Sequence, residues 1–365
     1  MKKIFYLIAL TAFMAGCGGS AAVSNGDKVD LDKFSFTASY RDLPRNALDT
    51  SYHTYSVQID YGYLTRLSLK RGELENQVRL EGWRRLPYGA HVQVKIKFED
   101  LIIQSSDVRE KEEVIKDKDG KETGKRKYYV VEVGYTFGAQ AKITDYKGAF
   151  IDEIQLASRD QRRTHYSDNF SSAAEANVYS KIGLVMLQPQ LTRQSMNGVL
   201  ENLSNNLTVN YGYPERTVND FFWIVNSRKH PEYENHRRAW LNFRQAIAMM
   251  SPDEPLDEVK KAMQPVIEYY NKVKKMYASD SKGDKKMRYA SYYNLAKIYW
   301  YLDDPDAGMK EATELIINGY DAKDGNGLEA GASNLKMLMR QAKRDSRHFR
   351  IQIEAYQGPD MAAGQ

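Results

Sequence analysis

The chain has 365 residues, 42% hydrophobic, 12% aromatic and 28% charged, a composition that excludes a disordered tail and, at roughly 100–200 residues per domain, suggests two or three folded units. Lys and Arg number 53 against 48 Asp and Glu, and a formal net charge of only +5 excludes a polyanion-coating protein, so no nucleic-acid partner is expected. The single cysteine excludes an internal disulfide framework and any cysteine-rich metal site.

Lys2 and Lys3 form a positive start, Ile4 to Met14 is apolar, and the small residues Ala15 and Gly16 precede Cys17, which is the layout of a secretory signal. At about 1.5 Å per residue the apolar stretch covers roughly half of a 30 Å hydrocarbon core, too little for a permanent membrane span. Met14-Ala15-Gly16-Cys17 resembles the lipobox of bacterial lipoproteins, with Met14 in place of the usual Leu. The resemblance implies removal of residues 1–16, acylation of Cys17 and anchoring at the cell outer membrane. Several acyl chains, at about 0.8 kcal/mol per buried methylene, hold a body firmly at a bilayer. Residues 17–33 are small and polar, with Gly18, Gly19, Ser20, Ser24 and Gly26, and read as a flexible tether.

Residues 34–216 read as an α+β domain dominated by antiparallel strands. Val92, Val94, Ile96 and Phe98 alternate with Gln93, Lys95, Lys97 and Glu99, the pattern of a half-buried strand. Tyr55 to Tyr61 and Tyr129 to Phe137 alternate likewise. Asp119-Gly120, between charged arms from Glu110 and to Lys127, predicts a protruding hairpin, and Asp145 to Gly148 predicts a second turn. Asp117 to Gly120 and Asp324 to Gly327 lack the leading ligand of a calcium loop and are expected as turns. Ser172 with Glu175 is a capping box, after which Val178, Ile182, Val185 and Met186 recur at helical spacing until Pro189. Leu191 to Leu207 predicts a second helix, Leu207 to Tyr211 a return to alternation, and the helix pair is expected to pack on the sheet.

Residues 217–347 read as an all-α domain, with helices expected over about Glu232–Met250, Leu256–Tyr277, Lys285–Leu302, Asp306–Asn318 and Leu328–Lys343, and residues 348–365 as a C-terminal tail. Tyr292, Leu295, Ala296, Tyr299, Gly308, Ala312 and Leu315 resemble a tetratricopeptide repeat, with Tyr292 for the usual Trp, Ala296 for the usual Gly and no terminal Pro. Trp240, Phe243 and Ile247 repeat the spacing, but Arg244 stands where a small side chain belongs. The resemblance implies a protein-binding scaffold, in which a second stripe on the same helix, Tyr293, Lys297 and Trp300, faces the concave groove and holds the partner.

Motifs for chemistry are thin. The six histidines are scattered, no nucleophile elbow or phosphate loop occurs, and no metal, cofactor or enzymatic activity is expected. The reading is a tethered adaptor of the bacterial cell envelope, its β-rich domain near the membrane, its helical domain distal, and its partner an envelope protein. The alternatives are an envelope enzyme acting on glycan and a glycan-capturing lipoprotein resembling the starch-binding partners of nutrient importers. The 26 tyrosines against 12 phenylalanines leave glycan contact open.

Overall fold

The computed structural model describes residues 29–67 and 74–359. The predicted signal, Cys17 and the first part of the tether lie outside the described residues. The elements in order are β1 (Leu31–Arg41), β2 (Thr54–Tyr61), α1 (Tyr63–Leu67), β3 (Arg84–Arg85), β4 (Val92–Phe98), β5 (Ile102–Lys116), β6 (Glu122–Thr136), β7 (Ala139–Asp145), β8 (Phe150–Ala157) and β9 (Arg163–Tyr166). α2 (Ala173–Val178), α3 (Leu184–Tyr211), β10 (Glu215–Val225), α4 (Tyr233–Ile247), α5 (Asp257–Met276), α6 (Lys282–Tyr301), α7 (Pro305–Ile317) and α8 (Ala322–Ala342) follow. The fold is α+β, with most strands in the N-terminal half and helices filling the C-terminal half.

The two units are not sequential blocks. β1 pairs antiparallel with β10 along its whole length, from Leu31 with Val225 to Arg41 with Glu215. Alternation places Phe36, Ala38, Tyr40, Phe222 and Ile224 in one core with α4, α5 and α6, where Phe36 meets the rings of Phe222, Phe243 and Tyr301 at 5.2, 4.8 and 5.4 Å. The β-rich residues 42–214 are therefore an insertion between two strands of the helical unit. The expected boundary near Thr217 falls inside β10, and residues 31–41 belong with the helices. Val29, the first described residue, packs with Val225, Val273, Tyr277 and Met287. The chain thus enters through the helical unit, the reverse of the expected order. The expected tail is also packed: Tyr356 stacks on His53 at 4.4 Å, and Arg84 Nη1 donates to the carbonyls of Glu354 and Tyr356 at 2.8 Å.

The insert holds a five-stranded sheet, β3-β2-β4-β7-β8, and a three-stranded sheet, β5-β6-β9. β2 and β4 are parallel, so the sheet is mixed rather than purely antiparallel. The stretch between these two strands supplies the crossover a parallel pair requires. The charged hairpin forms as expected, with Gly120 at φ +78° and Lys127–Glu110, Arg126–Glu113 and Lys125–Glu112 paired across it. Asp145 to Gly148 also turns as expected, with Gly148 at φ +85°.

The expected helix pair is one nearly continuous helix. Ser172 caps α2 by accepting from Glu175 N–H at 3.2 Å, and a π-helical turn at Tyr179–Gly183 joins α2 to α3. Pro189 lies inside α3 rather than ending it. Its missing N–H removes the helical bond to the carbonyl of Val185, a residue that is itself largely exposed. Leu207 to Tyr211 is helical because Leu200, Leu203, Leu207 and Tyr211 then share one buried face over the sheet. Asp324 to Gly327 likewise sits within α8, capped by Asp321, whose carboxylate accepts from Lys323 N–H. A Cβ at Gly325 would come within 2.6 Å of Ile316, so glycine there permits α7 and α8 to approach.

Candidate functional site

α6 carries the three residues expected to bind a partner, and the structure turns all three toward this same chain. Tyr293 is buried, its ring stacked on Phe221 of β10 at 5.6 Å. Lys297 Nζ donates to both oxygens of Asp220 at 2.6 and 2.9 Å, and Tyr301 donates its hydroxyl to the same carboxylate at 2.8 Å. Asn294, fully buried, accepts from Trp223 N–H at 3.0 Å and donates to Trp223 O at 2.9 Å. The helix therefore covers the free edge of β10, an edge that would otherwise present unpaired backbone groups. The face expected to be an open groove is occupied by the ribbon of β1 and β10. Asn294 and Asp220 were not singled out in the sequence, because neither belongs to a local motif.

Trp300 lies at the lower end of this seam and lines a cavity of about 250 Å³. The cavity sits where β1 leaves the helical unit, where β10 returns to it, and where the C-terminal end of α3 meets α8. Its back wall is built by Arg347. That guanidinium packs against the rings of both Tyr40 and Trp300, 4.3 and 4.1 Å from their centroids. It donates through Nε to Asp303 at 2.6 Å and through Nη2 to Trp300 O at 2.6 Å. Asp303 is enclosed, at φ +57°, and also accepts from Arg347 N–H and from the Ser346 hydroxyl. Leu43, Leu335 and Leu338 supply apolar surface, and Arg45, Arg216 and Asp42 the charged rim. Arg216 Nε donates to Asp42 at 2.7 Å.

The rim loop is fixed by its main chain. Asp42 N–H donates to Pro214 O, Arg45 N–H to Val209 O and Asn46 N–H to Asn210 O at 2.8, 3.3 and 2.8 Å. The last two bonds satisfy carbonyls at the end of α3, which have no partner within the helix. Arg41, itself buried, ties the two chain crossings together by donating to Tyr213 O at 3.3 Å and Phe349 O at 3.1 Å while pairing with Glu215 and Asp253.

A second feature lies on the insert. Val178, Ile182, Val185 and Met186, patterned like a core-facing stripe, point outward and are 60%, 69%, 72% and 74% exposed. The inner face of the same helix is also apolar, with Ala176, Leu187 and Leu191 buried against the sheets. The π turn packs Tyr179 inward, and Gly183 is required there because a Cβ would collide with the Tyr179 ring. Ser106 on β5 donates to Ser180 O and Gln188 to Leu101 O, so Ile102, 49% exposed, lies alongside this helix.

Among the described residues no group of three or more His, Asp or Glu side chains is placed to hold a metal ion. No helix among them is long and apolar enough to cross a membrane. The helical core encloses His236 against the rings of Tyr269 and Tyr270, with neither imidazole nitrogen bonded to a described residue, and burial pushes its pKa down to about 3. Nearby, burial, reinforced by the 2.8 Å hydrogen bond that Tyr269 donates to the buried carboxylate of Glu232, raises the Tyr269 phenol well above its ordinary value. No family model matches the chain, and no curated protein or solved structure matches it either.

Proposed function

We propose that this protein is a lipid-anchored binding and assembly component of the bacterial cell envelope, held at the outer membrane by an acylated Cys17 and acting on an envelope protein without chemistry of its own. The observation that carries the binding role is the outward stripe Val178, Ile182, Val185 and Met186. A helix apolar on both faces is a helix built to be covered on both, and large exposed apolar patches on soluble proteins mark interaction sites. The lipobox resemblance supports the anchor, and the chain from Cys17 to Val29, at most about 3.5 Å per residue step, allows roughly 42 Å between them.

The tetratricopeptide-like reading of α6 and α7 belongs to this proposal. A Cβ at Gly308 would lie 3.5 Å from Ala296 O, so the small residues at these positions sit where two helices approach closely. In this reading the helical unit is a platform next to the anchored end of the chain. β1, about 37 Å long, carries the insert and its apolar stripe away from that end.

The test is purification from the native cell in mild detergent, followed by mass spectrometry, comparing the wild type with the double variant Ile182→Asp and Val185→Asp. The expected result is a specific envelope protein retained by the wild type and lost from the variant, with thermal midpoints unchanged because both side chains are exposed. Retention by the variant, or self-association through the stripe in place of a partner, overturns the reading. Cys17→Ser should move the protein from the membrane to the soluble envelope fraction, and wild-type protein found soluble after cell disruption contradicts the anchor.

A further inference from the structure

The lining charges of the cavity under Trp300 do not cancel. Arg45, Arg216 and Arg347 contribute three guanidinium groups, and Asp42 is the one carboxylate among the lining residues. Arg347 is neutralised from behind by Asp303, and Arg216 is held through Nε by Asp42. Arg45 remains: its guanidinium has no ion-pair or hydrogen-bond partner among the described residues, and neither terminal nitrogen of Arg216 donates to one. An exposed arginine facing water is unremarkable by itself. Here the loop that carries it is pinned to α3 by consecutive amides, so the side chain starts from a fixed position at the mouth of a concave site. Those same amides occupy α3 carbonyls that would otherwise present a negative helix end to an anion. The same lining includes an aromatic and two leucines, Trp300, Leu335 and Leu338.

We propose that this cavity binds a small organic carboxylate, with its anionic group between Arg45 and the free terminal nitrogens of Arg216 and its apolar body against Trp300 and Leu338. A guanidinium fork matches the two oxygens of a carboxylate. Asp42 on the same rim disfavours a dianion, which selects a monoanion over a phosphate. At about 30 Å³ per water the cavity has room for roughly eight, which suits a single-ring acid or short fatty acid and excludes a polymer. The bound molecule would touch the outgoing crossing through Arg45, the returning one through Arg216, and α8 through Leu338, so it would fasten the insert to the helical unit. The site depends neither on the lipid anchor nor on a protein partner.

Isothermal titration calorimetry on the full chain in detergent, in a carboxylate-free buffer, tests this with benzoate, hexanoate and glucuronate against benzamide, hexanamide and glucose. Saturable one-to-one binding of at least one acid is expected, at least tenfold tighter than its neutral counterpart. Arg45→Gln should weaken that binding at least tenfold with the ligand-free thermal midpoint unchanged, and Arg45→Lys should restore part of it. Three acids without saturation, equal affinity for the neutral counterpart, undiminished binding by Arg45→Gln, or tighter binding of inorganic phosphate than of every acid would each overturn the proposal.

Discussion

Replacing Arg347 by Met should be among the most damaging single changes in the helical unit. The Arg347 and Asp303 side chains are only 3% and 0% exposed, so the ion pair is not screened by solvent. Removing one member of such a pair leaves a buried charge uncompensated and costs about 3–5 kcal/mol. Asp303 would keep the Ser346 hydroxyl and the Arg347 amide as donors, which limits the loss, while the two ring contacts and the bond to Trp300 O would disappear. At about 2–4 °C per kcal/mol the thermal midpoint should fall by roughly 6–20 °C. Asp303→Asn isolates the charge, because Asn tolerates the left-handed backbone at φ +57°. It should cost less than Arg347→Met, since Arg347 retains the carbonyl and both rings. Urea denaturation of wild type, both single variants and the double variant closes a cycle, with a coupling of about 1–3 kcal/mol expected. A change below about 1 kcal/mol for Arg347→Met, or additivity within about 0.5 kcal/mol, would refute the role given to the pair.

Three further outcomes follow from the packing. A fragment from Asn219 to Gln365 should aggregate, since it lacks Phe36, Ala38 and Tyr40, whereas a chain in which Asn-Gly replaces residues 42–214 should be soluble and helical by circular dichroism, because Arg41 and Glu215 are a paired position that a two-residue turn can join. Truncating Tyr293, Lys297 and Trp300 together to Ala should lower the thermal midpoint, as all three pack on the ribbon or the cavity wall, and Leu295→Ala should cost about 2–5 kcal/mol in urea denaturation. His236 is held neutral to about pH 3 when folded but takes a proton near its ordinary 6.5 when unfolded, so its contribution is complete above about pH 6.5 and is lost as pH falls toward 3; from pH 7 to 5 the loss is about 2 kcal/mol, and His236→Leu should flatten the stability profile by that amount.

Local signals in the sequence located most elements. Strict alternation marks β2, β4 and β6, Asp119-Gly120 marks the hairpin tip, and Ser172 with Glu175 marks the start of α2. The helices from α4 to α7 begin and end within a few residues of their expected limits. What local pattern does not encode is pairing across a long separation. Phe34, Phe36, Ala38 and Tyr40 alternate visibly, but only tertiary packing brings them to β10. β10 carries no such local signal, because Phe221, Phe222, Trp223 and Ile224 are apolar on both faces and lack the alternation of a half-buried strand. The same limit applies to the site. Trp300 was singled out from its helical spacing, but Arg347, Asp303, Arg45 and Arg216 come from separate loops and strands and carry no motif. The stripe at Val178 is legible from its spacing but its outward direction is not, since periodicity reports that an apolar face exists and not which way it points.

The route of the chain through β1 also fixes how the molecule transmits force. From Val29 the backbone runs through β1 and straight into the insert at Asp42, so tension between the N-terminal end and the insert travels along one covalent strand. The helices α4 to α8 follow β10 in the chain and meet that line from the side, through the β1–β10 ladder and through the packing of Phe36, Ala38 and Tyr40. Pulling the N-terminal end against the insert therefore loads this covalent strand directly, and the helical core only through its side contacts with β1. Pulling it against the helices instead applies both loads at the Leu31–Val225 end of the antiparallel ladder, so the 11 paired residues of β1 open one after another rather than together.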